Sequence, residues 1–276
     1  MNQVPYTRLL LLPTLVLGLI AVSAADGSAR QSAPQIRTIA NPANVPFGVG
    51  EKAEYQVRLG AVTVGSGSME VVGLERVNGA QTYRTRMMVQ GGIPFARVDD
   101  RFESWIDVNG LFSRRFRQDQ KEIRFERRRT FEFFPESRVW RTDTGETGTL
   151  ASDRPLDDVS FLYYARTLPL VVGETYTIPR YFRGESNPVI LQVLRKETVR
   201  VPAGEFETIV VRPIIKTRGL FAEGGEAEVY FTDDNRRLMV QMRSRVSRIG
   251  SLTLHMRSYE PGQRLSNAPF RPSPSS

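Results

Sequence analysis

Cysteine is absent from this chain of 276 residues, and histidine occurs once, at His255. The first absence excludes disulfides, thiolate metal centres and the acylated cysteine of a lipoprotein anchor. The second leaves a zinc site short of its usual ligands, and any Ser-His-Asp arrangement would have to use His255. Lysine is confined to Lys52, Lys121, Lys196 and Lys216 among 38 basic residues, so the positive charge is almost all arginine. The serine-hydrolase elbow, the zinc-protease helix, the phosphate loop and the dinucleotide glycine fingerprint do not occur. No residue pattern names an activity.

What is present begins with a leader. Met1 to Arg8 carries positive charge, Leu9 to Val22 is apolar apart from Thr14, and Val22-Ser23-Ala24 supplies small residues. The pattern predicts a signal peptide over 1–24, cut after Ala24 or Ala25, and hence a periplasmic protein. Left uncut it would be an anchor, but about 14 apolar residues fall short of the roughly 20 that a span needs. No second run of that length follows, so no membrane segment is expected after cleavage. Removing Arg8 lowers the net charge of +8 by one. Export makes nucleic acid an unsuitable partner and leaves lipid phosphates, acidic glycans or an envelope protein. Arginine suits such anions, though a GC-rich genome would enrich it equally well.

Segment 25–46 is small, polar and rich in proline, and reads as a flexible lead-in; 261–276 reads as a disordered tail. Between them, 47–260 reads as one β-rich domain. Ala53, Tyr55, Val57 and Leu59 alternate with polar residues, and Gly65-Ser66-Gly67 precedes a strand through Met69 and Val71. Asn78-Gly79 and Asn109-Gly110 are hairpin turns, the first leading to Tyr83, Thr85, Met87 and Val89. Phe102, Ser104, Ile106 and Val108 run into the second turn, after which Phe112, Arg114 and Phe116 share a face. A long strand is expected from Glu122 to Phe134. Further strands run through Val189, Val199, Phe206, Val229, Val240 and Leu254. One helix interrupts them: Asp157 is its N-cap, Asp158 complements its dipole, Leu156 and Phe161 form a staple, and Pro169 ends it near Leu168. Its apolar surface runs all round, so it is expected to be buried. The fold class is mainly β, an antiparallel open barrel or strongly curved sheet with one packed helix.

Paired acids were the remaining route to catalysis. Asp157-Asp158 caps the helix, Asp233-Asp234 suits a turn, and Asp99-Asp100 sits beside Arg97 and Arg101. His255 faces away from the apolar side of its strand. No catalytic residue, metal ligand or cofactor is therefore expected. The anomaly is Arg127 and Arg129, which fall in phase with Phe125, Phe131 and Phe133. If that register holds, two guanidinium groups face the interior and need a partner, which could be an acidic ligand over Phe125 and Phe131. A bulge near Arg128, or internal glutamates, would instead make them structural, and the Arg127-Arg128-Arg129 run could simply guard an edge strand.

Four stretches together carry a resemblance. Phe47-Gly48-Val49-Gly50-Glu51-Lys52-Ala53-Glu54-Tyr55, then Asp157 to Arg166, then Val201-Pro202-Ala203-Gly204-Glu205-Phe206-Glu207-Thr208, then Tyr230-Phe231-Thr232-Asp233-Asp234-Asn235-Arg236-Arg237 resemble the bacterial exported family known as domain of unknown function 3108. The resemblance spans Phe47 to Tyr259, with Phe231 standing where many relatives have Trp. It implies a Gram-negative envelope setting and a β-rich fold, and supplies no catalytic residues. The expected function is non-enzymatic binding of an amphiphilic or anionic envelope molecule or partner, with Arg127, Arg129, Phe125 and Phe131 as the ligand site. A carboxylate-based hydrolase or lyase on a cell-envelope glycan, and a structural or assembly protein, are the alternatives.

Overall fold

The structure, a computed structural model, describes residues 44–93, 96–122, 125–215, 227–246 and 250–265. The expected leader lies outside them. Alternating side chains build β1 (Lys52–Leu59), β2 (Val62–Val77), β3 (Ala80–Ile93), β4 (Ala96–Asp107), β5 (Ser113–Glu122), β6 (Phe125–Phe134), β7 (Val139–Thr142) and β8 (Thr147–Thr149). Helix α1 (Asp158–Ala165) follows, then β9 (Thr175–Ile178), β10 (Val189–Val201), β11 (Gly204–Ile214), β12 (Glu228–Thr232), β13 (Met239–Val246) and β14 (Gly250–Glu260). All strands join one 14-stranded sheet in the order β8-β7-β6-β5-β4-β3-β2-β1-β14-β13-β12-β11-β10-β9. Every pairing is antiparallel, and the terminal strands β8 and β9 do not pair with each other, so the sheet is curved and open as expected.

Extra residues bend the strands. Register shifts occur at Glu54/Tyr55, Val57/Arg58, Val71/Gly73, Trp105/Ile106, Val193/Arg195 and Tyr230/Phe231. Each inserts a residue on one side and increases local twist, which rolls the sheet around its inner face. That face carries Tyr55, Val71, Tyr83, Met87, Ile106, Phe116, Phe131 and Leu191, all almost wholly buried. Helix α1 packs into the concavity, with Val159 through Ala165 buried, so its all-round apolar surface is matched on every side.

Several local expectations are corrected. No continuous strand spans Glu122 to Phe134: β5 ends at Glu122, which pairs with Phe125 of β6, so the chain reverses between them. Gly65-Ser66-Gly67 lies within β2 rather than ahead of it. The register shift at Trp105/Ile106 breaks the expected phase of β5, turning Ser113 and Phe116 inward while Arg114 covers the Phe112 ring at 4.8 Å. Helix α1 ends at Ala165 with Arg166 as C-cap, short of Leu168, because the Arg166 side chain is drawn into an ion pair described below. Val45 and Pro46 are buried, so packing starts ahead of Phe47. Past the boundary expected at Pro261, Gln263 bridges Val49 and Leu265 packs on the core.

The glycines of β2 and β3 are a matter of backbone approach. A Cβ on Gly65 would lie 2.1 Å from the Gln90 carbonyl oxygen and 2.7 Å from Gly91 Cα. Neither backbone atom can rotate away, so Gly65→Ala should cost about 1–3 kcal/mol, as overpacking does. The fall in urea midpoint at unchanged slope would measure it; an unchanged midpoint would mean the two strands are not in contact here.

Candidate functional site

Cross-strand pairing puts Gln118 opposite Arg129 and Gln120 opposite Arg127, with no register shift between β5 and β6. The bulge that would have reversed the phase near Arg128 is therefore absent, and Arg127 and Arg129 share the inner face with Phe131 and Phe133. Both phenylalanines are fully buried, whereas Arg127 and Arg129 are half-buried at the rim. Phe125 starts β6, but its side chain, like Ile123, lies outside what is described.

Arg183, in the loop between β9 and β10, completes the rim. Its guanidinium carbon stands 5.5 Å from the Phe131 ring centre and 5.2 Å from that of Phe182, while that of Arg129 stands 6.0 Å from Phe131. Such placement over ring faces is favourable for a cation. Glu146, in the turn between β7 and β8, accepts from Arg129 Nη2 at 3.2 Å. Burial, then the charges of Arg129 and Arg183, hold the Arg127 guanidinium below its ordinary pKa, with Glu146 acting the other way. Two strand positions and a loop thus bring three cations together, two of them over one aromatic floor. Alternation in the sequence reveals the first two; no periodicity reaches Arg183, because loop side chains follow no strand phase.

The N-terminus of α1 is a second polar centre. Asp157 Oδ1 accepts from Val159 N and Ser160 N, both at 2.9 Å. Its Oδ2 lies 2.6 Å from each of Ser104 Oγ and Ser113 Oγ. Ser160 Oγ closes the capping box by accepting from Asp157 N. Burial pushes the Asp157 carboxyl up to about 6 against these hydrogen bonds. Asp158 is also raised by burial, and accepts from Tyr181 OH at 2.9 Å.

A third centre lies at the other end of α1. Arg166 Nη1 and Nη2 donate to Glu51 Oε1 at 2.6 Å and Oε2 at 3.1 Å, and Nη2 also donates to the Pro46 and Arg236 carbonyls. Both side chains are buried. A void of about 10 Å³ beside them, bounded by Tyr55, Leu162 and Met239, has room for one water.

The other acids are occupied structurally. Asp99 accepts from Gln90, Asp100 from Lys121 N, Asp234 from Thr232, Arg236 and Arg237, and Asp233 pairs with Lys196 and Arg237. The two carboxylates thus accept hydrogen bonds from the strands on either side of β4. His255 lies half-buried on the outer face, Nε2 at 3.0 Å from Thr253 Oγ1, its pKa lowered by burial and by Arg58 and Arg243. Among the described residues no group of three or more His, Cys, Asp or Glu is placed to hold a metal. No described helix is long and apolar enough to cross a membrane.

An open, curved antiparallel sheet wrapped on one buried helix defines a barrel-like β protein. The chain belongs to the family described as Protein of unknown function (DUF3108), which matches residues 54–257. Solved structures are similar to it at low identity. A β-barrel-like protein of the domain of unknown function DUF1849 from Brucella abortus is 11% identical, with 79% of this chain and 99% of that one covered and a TM-score of 0.46. A protein from Bacteroides fragilis, described as exported and of YmcC-like fold, is 11% identical over 78% and 98%, at a TM-score of 0.28. A chain described as a lipoprotein from Parabacteroides distasonis is 10% identical over 79% and 99%, at 0.29. No curated protein matches.

Proposed function

We propose that this chain is a non-enzymatic protein of the bacterial periplasm that binds an anionic, amphiphilic envelope molecule through Arg127, Arg129 and Arg183. The observation that carries this reading is the placement of Arg129 and Arg183 over Phe131 and Phe182, with Arg127 close enough to feel both charges. Like charges held together repel one another, and after burial the charges of Arg129 and Arg183 contribute to the lowered pKa of Arg127. An incoming phosphate or carboxylate relieves that repulsion and accepts charge-assisted hydrogen bonds, for which the planar guanidinium fork is suited. The ring floor beneath the rim is buried, so the site takes a head group at the rim. The leader expected over 1–24 supports an extracytoplasmic setting.

Titration calorimetry with a short-chain phosphatidic acid below its micelle concentration tests the site. Arg127→Ala, Arg129→Ala and Arg183→Ala combined should weaken binding at least tenfold, since a single hydrogen bond to a charged group contributes about 1.5–3 kcal/mol. Equal affinity for the parent and the triple variant, or no heat with either, would remove the proposal. Fractionation adds a second check: protein recovered from the cytosol with its leader intact contradicts the setting.

A further inference from the structure

In an antiparallel meander every second turn falls at the same end of the sheet. At one end lie the β1–β2 turn, the start of β4, the end of β5 and the start of β6, together with the turn bearing Glu146 and the loop bearing Arg183. The register levels them: Leu59 pairs with Val62, Gly65 with Gly91, Gly92 with Arg97, and Val98 with Glu122. Val62, at 64% exposure, is the most exposed large apolar side chain described. Cations lie at the same end, Arg58 beside it and Arg97 and Lys121 on β4 and β5. Arg58 donates to the Ala61 carbonyl at 2.9 Å, and Arg97 and Lys121 are exposed. Among the described residues none of the three has a carboxylate within ion-pair distance of its side chain. At the opposite end most turn cations meet acids, Arg200 with Glu205, Arg236 with Asp234 and Arg237 with Asp233; Arg76 and Arg138 are the exceptions.

An exposed aliphatic residue on a sheet end that also carries exposed basic side chains matches the boundary between phospholipid head groups and acyl chains. The aliphatic group enters the boundary, and long basic side chains stretch to keep their charge among the phosphates. We infer that this end of the sheet docks on an anionic phospholipid surface, with Val62 inserted and Arg58, Arg97 and Lys121 on the phosphates. Charge complementarity selects the occupant, because a neutral lipid surface would leave those cations without partners. The inference goes beyond head-group binding and stands without it, although docking would bring the Arg127 rim close to the membrane.

Co-sedimentation of the mature protein with vesicles containing phosphatidylglycerol, and with vesicles of phosphatidylcholine alone, tests it. The parent should partition onto the first and stay in solution with the second, and raised salt should release it. Val62→Asp with Arg97→Glu and Lys121→Glu should weaken partitioning by roughly tenfold or more, given the attraction each basic residue feels near an anionic surface. These side chains are exposed, so the variant should melt with the parent, which separates lost docking from lost folding. Equal partitioning onto both vesicles, onto neither, or unaltered by the substitutions overturns the inference. The Arg127, Arg129 and Arg183 triple variant tells the two readings apart: if it docks normally yet phosphatidic acid binding never depended on it, only the head-group reading falls.

Discussion

Arg166→Ala is expected to lower the stability of the folded chain by about 3–5 kcal/mol, the usual consequence of removing one member of a buried ion pair. The loss comes less from the missing attraction than from what stays behind. Glu51 would keep its carboxylate in a buried site, with only the weak contact of Tyr259 OH at 3.4 Å in place of two short bonds from the guanidinium. The Pro46 and Arg236 carbonyls would lose a shared donor as well. Arg166 therefore joins the helix end, the strand entering β1 and the turn after β12. The double variant Glu51→Gln with Arg166→Met should recover much of the loss, because no charge is then stranded. Urea unfolding of the parent, Glu51→Gln, Arg166→Met and the double variant closes the cycle. A double-variant loss equal to the sum of the two single losses would show that the pair is not coupled.

Asp157→Ala should cost about 2–4 kcal/mol, because the cap of α1 is lost and buried polar groups lose their acceptor. The groups concerned are Ser104, Ser113 and the amides of Val159 and Ser160. Asp157→Asn separates cap from charge, since the amide oxygen can still accept from the helix. With the carboxyl raised from 3.8 to about 6, the folded chain keeps this proton at pH values where the unfolded chain has released it. The parent's advantage from this group is thus fully present below pH 4 and is lost as pH rises towards 6. The total is about 3 kcal/mol, from 1.36 kcal/mol per tenfold change. Unfolding curves at pH 4, 5, 6 and 7 should show parent stability falling relative to Asp157→Asn across that window. Parallel behaviour of the two proteins would mean that Asp157 titrates as it does in the unfolded chain.

What was legible in the sequence was local. Asn78-Gly79 turns β2 into β3 with both residues at positive φ, and Asp157 caps α1 with Ser160, because turn and cap chemistry is decided within four residues. The faces of β1 and β3 follow from alternation alone. The reversal between Glu122 and Phe125 escaped notice because alternation runs on through a stretch without glycine, proline or asparagine to mark a turn. The inward turn of Ser113 was hidden by a bulge that leaves no mark in polarity. Arg127, Arg129 and Phe131 could be placed on one face, but Arg183 joins them from more than fifty positions away. Glu51 and Arg166 are 115 positions apart and meet only through the tertiary fold.

Every neighbouring pair of strands in the sheet is also consecutive in the chain, except β1 with β14. A polypeptide emerging from its N-terminal end can thus zip β1 through β8 as they appear, yet the outer margin of β1 has no legitimate partner until the last strand arrives. For most of that vectorial passage a bare row of amides and carbonyls stands open to mispairing with a second nascent molecule. Closure of that margin therefore waits on the last strand to be made.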